Sequence, residues 1–199
     1  VIHQYKTEFL IYAPGRCGST QIANRPEFQQ ICHINYFNPD PDLPDKMYIV
    51  TREPEARLIS ALYQMYSKLY DTEGDWRNRI EAINEYTDHH TTDRIHDWGL
   101  PQYISATDRI HCQNYITELK QLSNTWELNT IWVDLSELDK VLAQYEIPAT
   151  ERHGVPDSKR PDYTEFATAL RHSTGWGAWQ NYIQPEQTAW QSVVGRAFG

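Results

Sequence analysis

Two clusters of residues in this chain have the types and spacing to hold negatively charged groups. The first is Gly15-Arg16-Cys17-Gly18-Ser19-Thr20, which follows the apolar run Phe9-Leu-Ile-Tyr-Ala13. A buried strand that runs into a glycine loop and then into a helix headed by hydroxyl residues builds a cradle for phosphate or sulfate. Backbone N–H groups point at the anion, and the helix dipole adds to the attraction. Loops that grip the β/γ-phosphates of Mg-bound ATP read G-x-x-x-x-G-K-[ST]. No Lys precedes the hydroxyl pair here, so a different anion is expected. The second cluster is Arg52-Glu-Pro-Glu-Ala-Arg57-Leu-Ile-Ser60-Ala-Leu-Tyr63, directly after the apolar run Met47-Tyr-Ile-Val-Thr51. Arg52 falls at the carboxyl end of a predicted parallel strand, where open α/β sheets bind ligands. An Arg there and the Ser60 hydroxyl on the following helix can hold a further phosphate. Two anion sites at neighbouring strand ends suit a ligand with two separated phosphate groups.

The elements that must position these residues alternate along the chain. Phe9–Ala13 and Met47–Thr51 read as buried strands, Ile31–Phe37 as another, and Thr130–Asp134 as a fourth. A short helix is expected from Ser19 to about Asn24-Arg25-Pro26, because the residue before Pro disfavours helix. Pro54 opens a second helix, on which Leu58, Ile59, Leu62, Met65, Tyr66 and Leu69 keep helical spacing. Further helices are predicted over about Trp76–Tyr86, Asp108–Leu122 and Ser136–Gln144, with one or two in the tail, the last near Glu186–Arg196. Strands apolar on both faces that alternate with helices predict an α/β fold. Its central parallel sheet is flanked by helices, and the 199 residues form a single domain.

Composition narrows the partners. A net charge of -9 argues against a nucleic-acid binder, which carries a basic face, but leaves room for a small anion held by a few placed arginines. Cys17, Cys32 and Cys112 are an odd number without metal-ligand spacing, so reduced thiols and a cytoplasmic location are expected. His89, His90 and His96 lack the carboxylate or Cys spacing of a metal site, and none is expected. No apolar run reaches the length of a membrane span, and no signal peptide is visible.

Taken together, the two clusters resemble the P-loop sulfotransferases, which use 3′-phosphoadenosine 5′-phosphosulfate (PAPS). Arg52, Pro54, Arg57, Ser60 and Tyr63 match the family's 3′-phosphate pattern R-x-P-x-x-R-x-x-S-x-Y at every fixed position. The first loop is similar to the R-[SC]-G-[ST]-[ST] variant of the carbohydrate-type members, where cytosolic small-molecule members have K-S-G-T-T. The close match covers residues 8–70, and a looser one continues through Thr130–Leu138 and the pair Lys159-Arg160. The resemblance implies a P-loop-like enzyme that transfers a sulfuryl group from PAPS to a hydroxyl or amine and releases 3′,5′-ADP, in line and without a metal. It implies that Gly15 to Thr20 hold the 5′-phosphosulfate, that Arg16 stabilises the leaving oxygen, and that Arg52 and Ser60 hold the 3′-phosphate. Lys159 and Arg160 are the local candidates for the basic loop that also touches that phosphate. His33 is the first candidate for the base, although Ile31 stands where many members place a Lys; Glu27, His96 and His111 are the others.

Other readings stay open at the level of sequence. Ser19 could cap an ordinary helix, Arg52 could pair with Glu53 or Glu55, and His33 could be a histidine without catalytic work. A P-loop nucleotide kinase and a catalytically inactive nucleotide-binding module are the alternative functions. The acceptor, a small molecule or a carbohydrate, would be chosen by the stretches 71–107 and 150–185, and a homo-oligomer could complete its pocket.

Overall fold

The computed structural model describes residues 1–32, 34–69, 77, 80, 81, 84, 115–149 and 162–194; for Asn35 and residues 64–69 it describes the backbone alone. The chain divides into two compact units. One comprises Val1–Glu53, Tyr115–His153 and Thr188–Gly199, the other Pro54–Asn114 and Gly154–Gln187.

The first unit is built on a five-stranded sheet. Its strands are β1 (Ile2–Tyr5), β2 (Phe9–Tyr12), β3 (Phe28–Cys32), β4 (Lys46–Thr51) and β5 (Asn129–Asp134), in the order β3-β1-β2-β4-β5. β2, β4 and β5 are parallel, with Tyr12 beside Ile49 and Thr51 beside Asp134. β1 is antiparallel to both β2 and β3. The sheet is therefore mixed, which corrects the expected parallel sheet. β1 places the adjacent polar residues His3 and Gln4 between Ile2 and Tyr5, which face opposite sides of the sheet, and its four residues form a hairpin with β2 through a turn at Lys6, where φ is 47°. β3 starts three residues before the expected Ile31 and ends at Cys32, with Ile34–Tyr36 in a 3-10 turn. It is an edge strand whose Gln29 and Gln30 are exposed, so no continuous apolar run marks it.

Helices cover both faces of this sheet. On one face Phe9, Ile11, Tyr48, Val50 and Val133 meet Ile22 of α1 (Ser19–Ala23). On the other, Ile2, Leu10, Met47 and Ile49 meet Leu119 of α3 (Ile116–Ser123) and Trp126. α4 (Leu138–Ala143) adds Leu138 and Leu142 to the first face. The Phe9 ring lies at the centre of an aromatic group, 4.5 Å from the ring of Tyr145, 5.1 Å from Tyr48, 5.3 Å from Tyr5 and 6.1 Å from Phe28.

The second unit is helical among its described residues. α2 (Pro54–Leu69) begins at Pro54 as expected, and its Leu58, Ile59 and Leu62 are buried. They pack with Phe166 and Leu170 of α5 (Tyr163–Arg171) and with Trp179 and Tyr182 of α6 (Trp176–Val194). Tyr63 Oη donates to Asp162 Oδ1 at 2.7 Å, and Arg171 Nε donates to Glu55 Oε1 at 2.7 Å. α6 is longer than the expected Glu186–Arg196 and carries Pro185 inside it. Of the helix expected over 76–86, the described residues Arg77, Ile80, Glu81 and Asn84 are helical. Among the described residues no helix is long and apolar enough to cross a membrane.

Phe9 is fully buried and touches four aromatic rings, so its removal leaves a large hole under the strand that leads into the glycine loop. Phe9→Ala is expected to cost about 3–5 kcal/mol, read from the midpoint of urea unfolding.

Candidate anion-binding site

The loop after β2 has the backbone geometry of an anion cradle. Arg16 has φ 66° and Gly18 has φ 84°, while Cys17 between them stays at negative φ. Alternation of hand at successive residues turns consecutive N–H groups to one side, forming a concave nest for an anion. A hydrogen bond from Cys17 N to Pro14 O, 3.0 Å, closes the turn. α1 follows at Ser19, with only five residues. A helix this short carries little dipole.

Gly18 sits where any side chain is strained. A Cβ built on it would stand 2.7 Å from Leu135 Cδ1, and its φ lies where side chains are disfavoured. Leu135 opens a 3-10 turn (Leu135–Glu137) held by Asp134, whose Oδ1 accepts from Ser136 N at 2.9 Å and from Ser136 Oγ at 2.6 Å. Gly18, not Ser19, is the N-cap of α1, and no side chain caps the helix. Ser19 is thus left half-buried inside the first turn and Thr20 exposed, which removes the reading of Ser19 as a cap. Cys17 points the other way: it is fully buried in the core, with Sγ 3.2 Å from Tyr115 Oη. Its N–H closes the turn onto Pro14 O and its side chain anchors the loop, so Cys17 shapes the cradle and does not donate to it.

The second cluster meets the first at Arg52. This half-buried residue follows the end of β4, and its Nη1 donates to the carbonyl oxygen of Arg16 at 3.4 Å. Because β4 is the parallel neighbour of β2, the strand that ends at Arg52 delivers it beside the glycine loop. Arg57 and Ser60 are buried on α2, in the other compact unit. His33, His96, His111, Lys159 and Arg160 lie outside the described residues. Glu27 is exposed in the turn before β3.

Arg25 is a positioning residue that spacing did not mark. It is 2% exposed, and its guanidinium donates to Pro148 O at 2.7 Å, to Gln21 O at 3.3 Å and to Asp139 Oδ1 at 3.4 Å. Gln21 Nε2 donates to the same Asp139 oxygen at 2.9 Å. Burial pulls the Arg25 pKa down, with the Asp139 and Glu27 carboxylates opposing. The only signal in the sequence was an Arg beside the Pro that ends α1. Tyr12, the last residue of β2, has its pKa pushed up to about 12 by burial and then by the Cys17 thiol.

Two measurements follow from this geometry. Gly18→Ala is expected to cost about 1–3 kcal/mol, and Leu135→Ala in the same chain should recover the steric part, leaving the cost of positive φ; strict additivity in a double-mutant cycle would show that the two residues do not meet. The second concerns alkaline stability. A tyrosine with a raised native pKa prefers its neutral form in the folded chain, so its stabilisation is complete below pH 10 and is lost as pH rises through about 12. Tyr12→Phe should therefore lose about 1–2 kcal/mol less than the parent chain between about pH 9 and pH 11.5, measured by denaturant unfolding at each pH.

No family model matches this chain, and no curated protein or solved structure matches it, so its function has to be read from the chemistry of this loop and its neighbours.

Proposed function

We propose that the chain is a PAPS-dependent sulfotransferase that moves a sulfuryl group to a hydroxyl or amine. The observation that carries this reading is the hydrogen bond from Arg52 to the carbonyl of Arg16. It joins a cradle of backbone amides to a second cation at the ends of two adjacent parallel strands, as a donor with two separated anionic groups requires. The fully matched pattern Arg52, Pro54, Arg57, Ser60 and Tyr63 supports the 3′-phosphate assignment. The lack of a Lys before Ser19 and Thr20 favours a sulfate donor over Mg-bound ATP.

Sulfuryl transfer forms a bond from sulfur to the acceptor oxygen or nitrogen as the bond to the bridging oxygen breaks. The electron pair stays on the 5′-phosphate of 3′,5′-ADP, and the acceptor proton goes to a base. Positioning and charge stabilisation carry such a reaction, as in phosphoryl transfer. The amides of Arg16, Gly18, Ser19 and Thr20 and the hydroxyls of Ser19 and Thr20 bind the 5′ end, while the Cys17 N–H stays on Pro14 O. The Arg16 guanidinium neutralises the charge that grows on the bridging oxygen. Arg52 binds the 3′-phosphate. His33 remains the first candidate for the base.

3′,5′-ADP is expected to raise the melting temperature more than 5′-AMP does, since the 3′-phosphate gives Arg52 its partner; at a hundred times its Kd a ligand adds about 2.7 kcal/mol. Arg52→Ala should bring the two shifts together. Arg16→Ala should lower kcat by about 10²–10³ while nucleotide binding falls less. Equal shifts for the two nucleotides in the parent chain would remove the PAPS reading.

A further inference from the structure

A cavity of about 520 Å³ lies on the far side of the sheet from the glycine loop, wholly within the first compact unit. Its wall includes Lys120 and Asn124 from α3 and the turn after it, Trp126, Thr130 and Trp132 of β5, and Ser192 near the end of α6. Cys17 and Ile22 belong to the core on one face of the sheet, whereas Trp126 and Trp132 belong to that on the other. Thr130 pairs with Met47, four residues before the Thr51–Asp134 pair at the strand ends. At about 3.3 Å per residue, that is about 13 Å back along the strands. The cavity is therefore distinct from the anion loop in both face and level.

The chemistry of the wall is selective. Lys120 is its one charged residue, and no carboxylate lines it. Lys120 Nζ donates to Ser192 Oγ at 3.3 Å, and among the described residues it has no carboxylate partner. Thr130 Oγ1 is buried without a hydrogen-bond partner. Two indoles, with Leu128, Ile131 and Val193, supply flat and aliphatic surface. The volume falls in the range of small-molecule sites, where apolar walls hold a ligand body and a few polar groups orient it. A lone cation in such a wall favours an anion, because a charge-assisted hydrogen bond is about twice as strong as a neutral one.

We infer that this cavity is a second ligand site, which takes a small aromatic carboxylate with its ring against Trp126 and Trp132 and its carboxylate on Lys120. The ring gains apolar contact with the indoles. The site does not depend on the sulfotransferase reading, because none of its residues belongs to the anion loop.

The test uses the full chain and 4-fluorophenylacetate, observed by fluorine NMR. The neutral isostere 2-(4-fluorophenyl)ethanol serves as control. Saturable binding of the acid is expected, with the alcohol weaker by about tenfold or more. Lys120→Gln should weaken the acid by about the same factor and leave the alcohol unchanged, and unchanged urea unfolding of this variant would show that its fold is kept. Arg52→Ala should leave acid binding intact, which separates the cavity from the nucleotide site. The proposal is overturned by absence of saturable binding up to about 10 mM, well above the millimolar affinity of a weak ligand. Equal affinity for acid and alcohol, indifference to Lys120→Gln, or displacement of the acid by 3′,5′-ADP would each overturn it too.

Discussion

The close approach of Gly18 to Leu135 is the constraint on which the candidate site depends. With a hydrogen in place of a side chain, the loop lies against the 3-10 turn after β5, where a Cβ would come within 2.7 Å of Leu135 Cδ1. Gly18 also has positive φ, and with the positive φ of Arg16 this makes the alternation that shapes the loop. The turn is in turn held by Asp134 at the end of β5. A backbone cradle three residues long is thus set by a strand that lies two places away in the sheet, through β4. Thr51 ties the intervening layer, since its Oγ1 donates to Val133 O at 3.3 Å.

The same logic explains why the loop is anchored from both sides. Cys17 sinks into the aromatic and aliphatic core and meets Tyr115, while Arg25 clamps the far end of α1 to Asp139 and Pro148. A five-residue helix has little stability of its own. It keeps its place because its one buried apolar residue, Ile22, and its buried Arg25 neighbour are both held by distant parts of the chain. Removing only one partner from such a buried charged group is costly, since the guanidinium would stay behind without its acceptors.

What could be read from the residues alone divides along physical lines. The glycine loop, β2, β4, β5 and the start of α2 were legible, because the buried parallel strands β2 and β4 leave unbroken apolar runs, the edge strand β5 keeps Ile131-Trp132-Val133, and Pro54 marks a helix start. β1 and the true limits of β3 were not, because short antiparallel strands at the side of a sheet can carry His3, Gln4, Gln29 and Gln30 without losing their pairing. Their presence turns an expected parallel sheet into a mixed one. Within the candidate site, the two arginines were legible as residue types in a pattern. The contacts that place them were not: Arg25 reaches Pro148 across 123 residues of chain, and no local spacing encodes such a partner. The division of the helices into a second compact unit was equally hidden, because apolar periodicity reports that a face is buried but not against what.

Arg52 and Arg16 raise an electrostatic question that the absence of a loop lysine makes sharper. A loop lysine supplies a flexible point charge, whereas a guanidinium offers several donors in a fixed plane. Arg52 spends one of these donors on the Arg16 carbonyl, so its plane is held while its other donors can turn to a ligand. Two cations brought toward one loop repel each other, and an anion between them converts that repulsion into attraction. In a chain of net charge -9, the long-range field does not draw an anion in, and at physiological salt it is screened within about 8 Å. Discrimination at this loop must then come from contact geometry: the curvature of the amides set by Gly18 and the orientation of Arg52 set by Arg16. On the proposed reading, a ligand with a single phosphate would satisfy the amides but leave the second cation without an anion, and a doubly anionic donor would engage both.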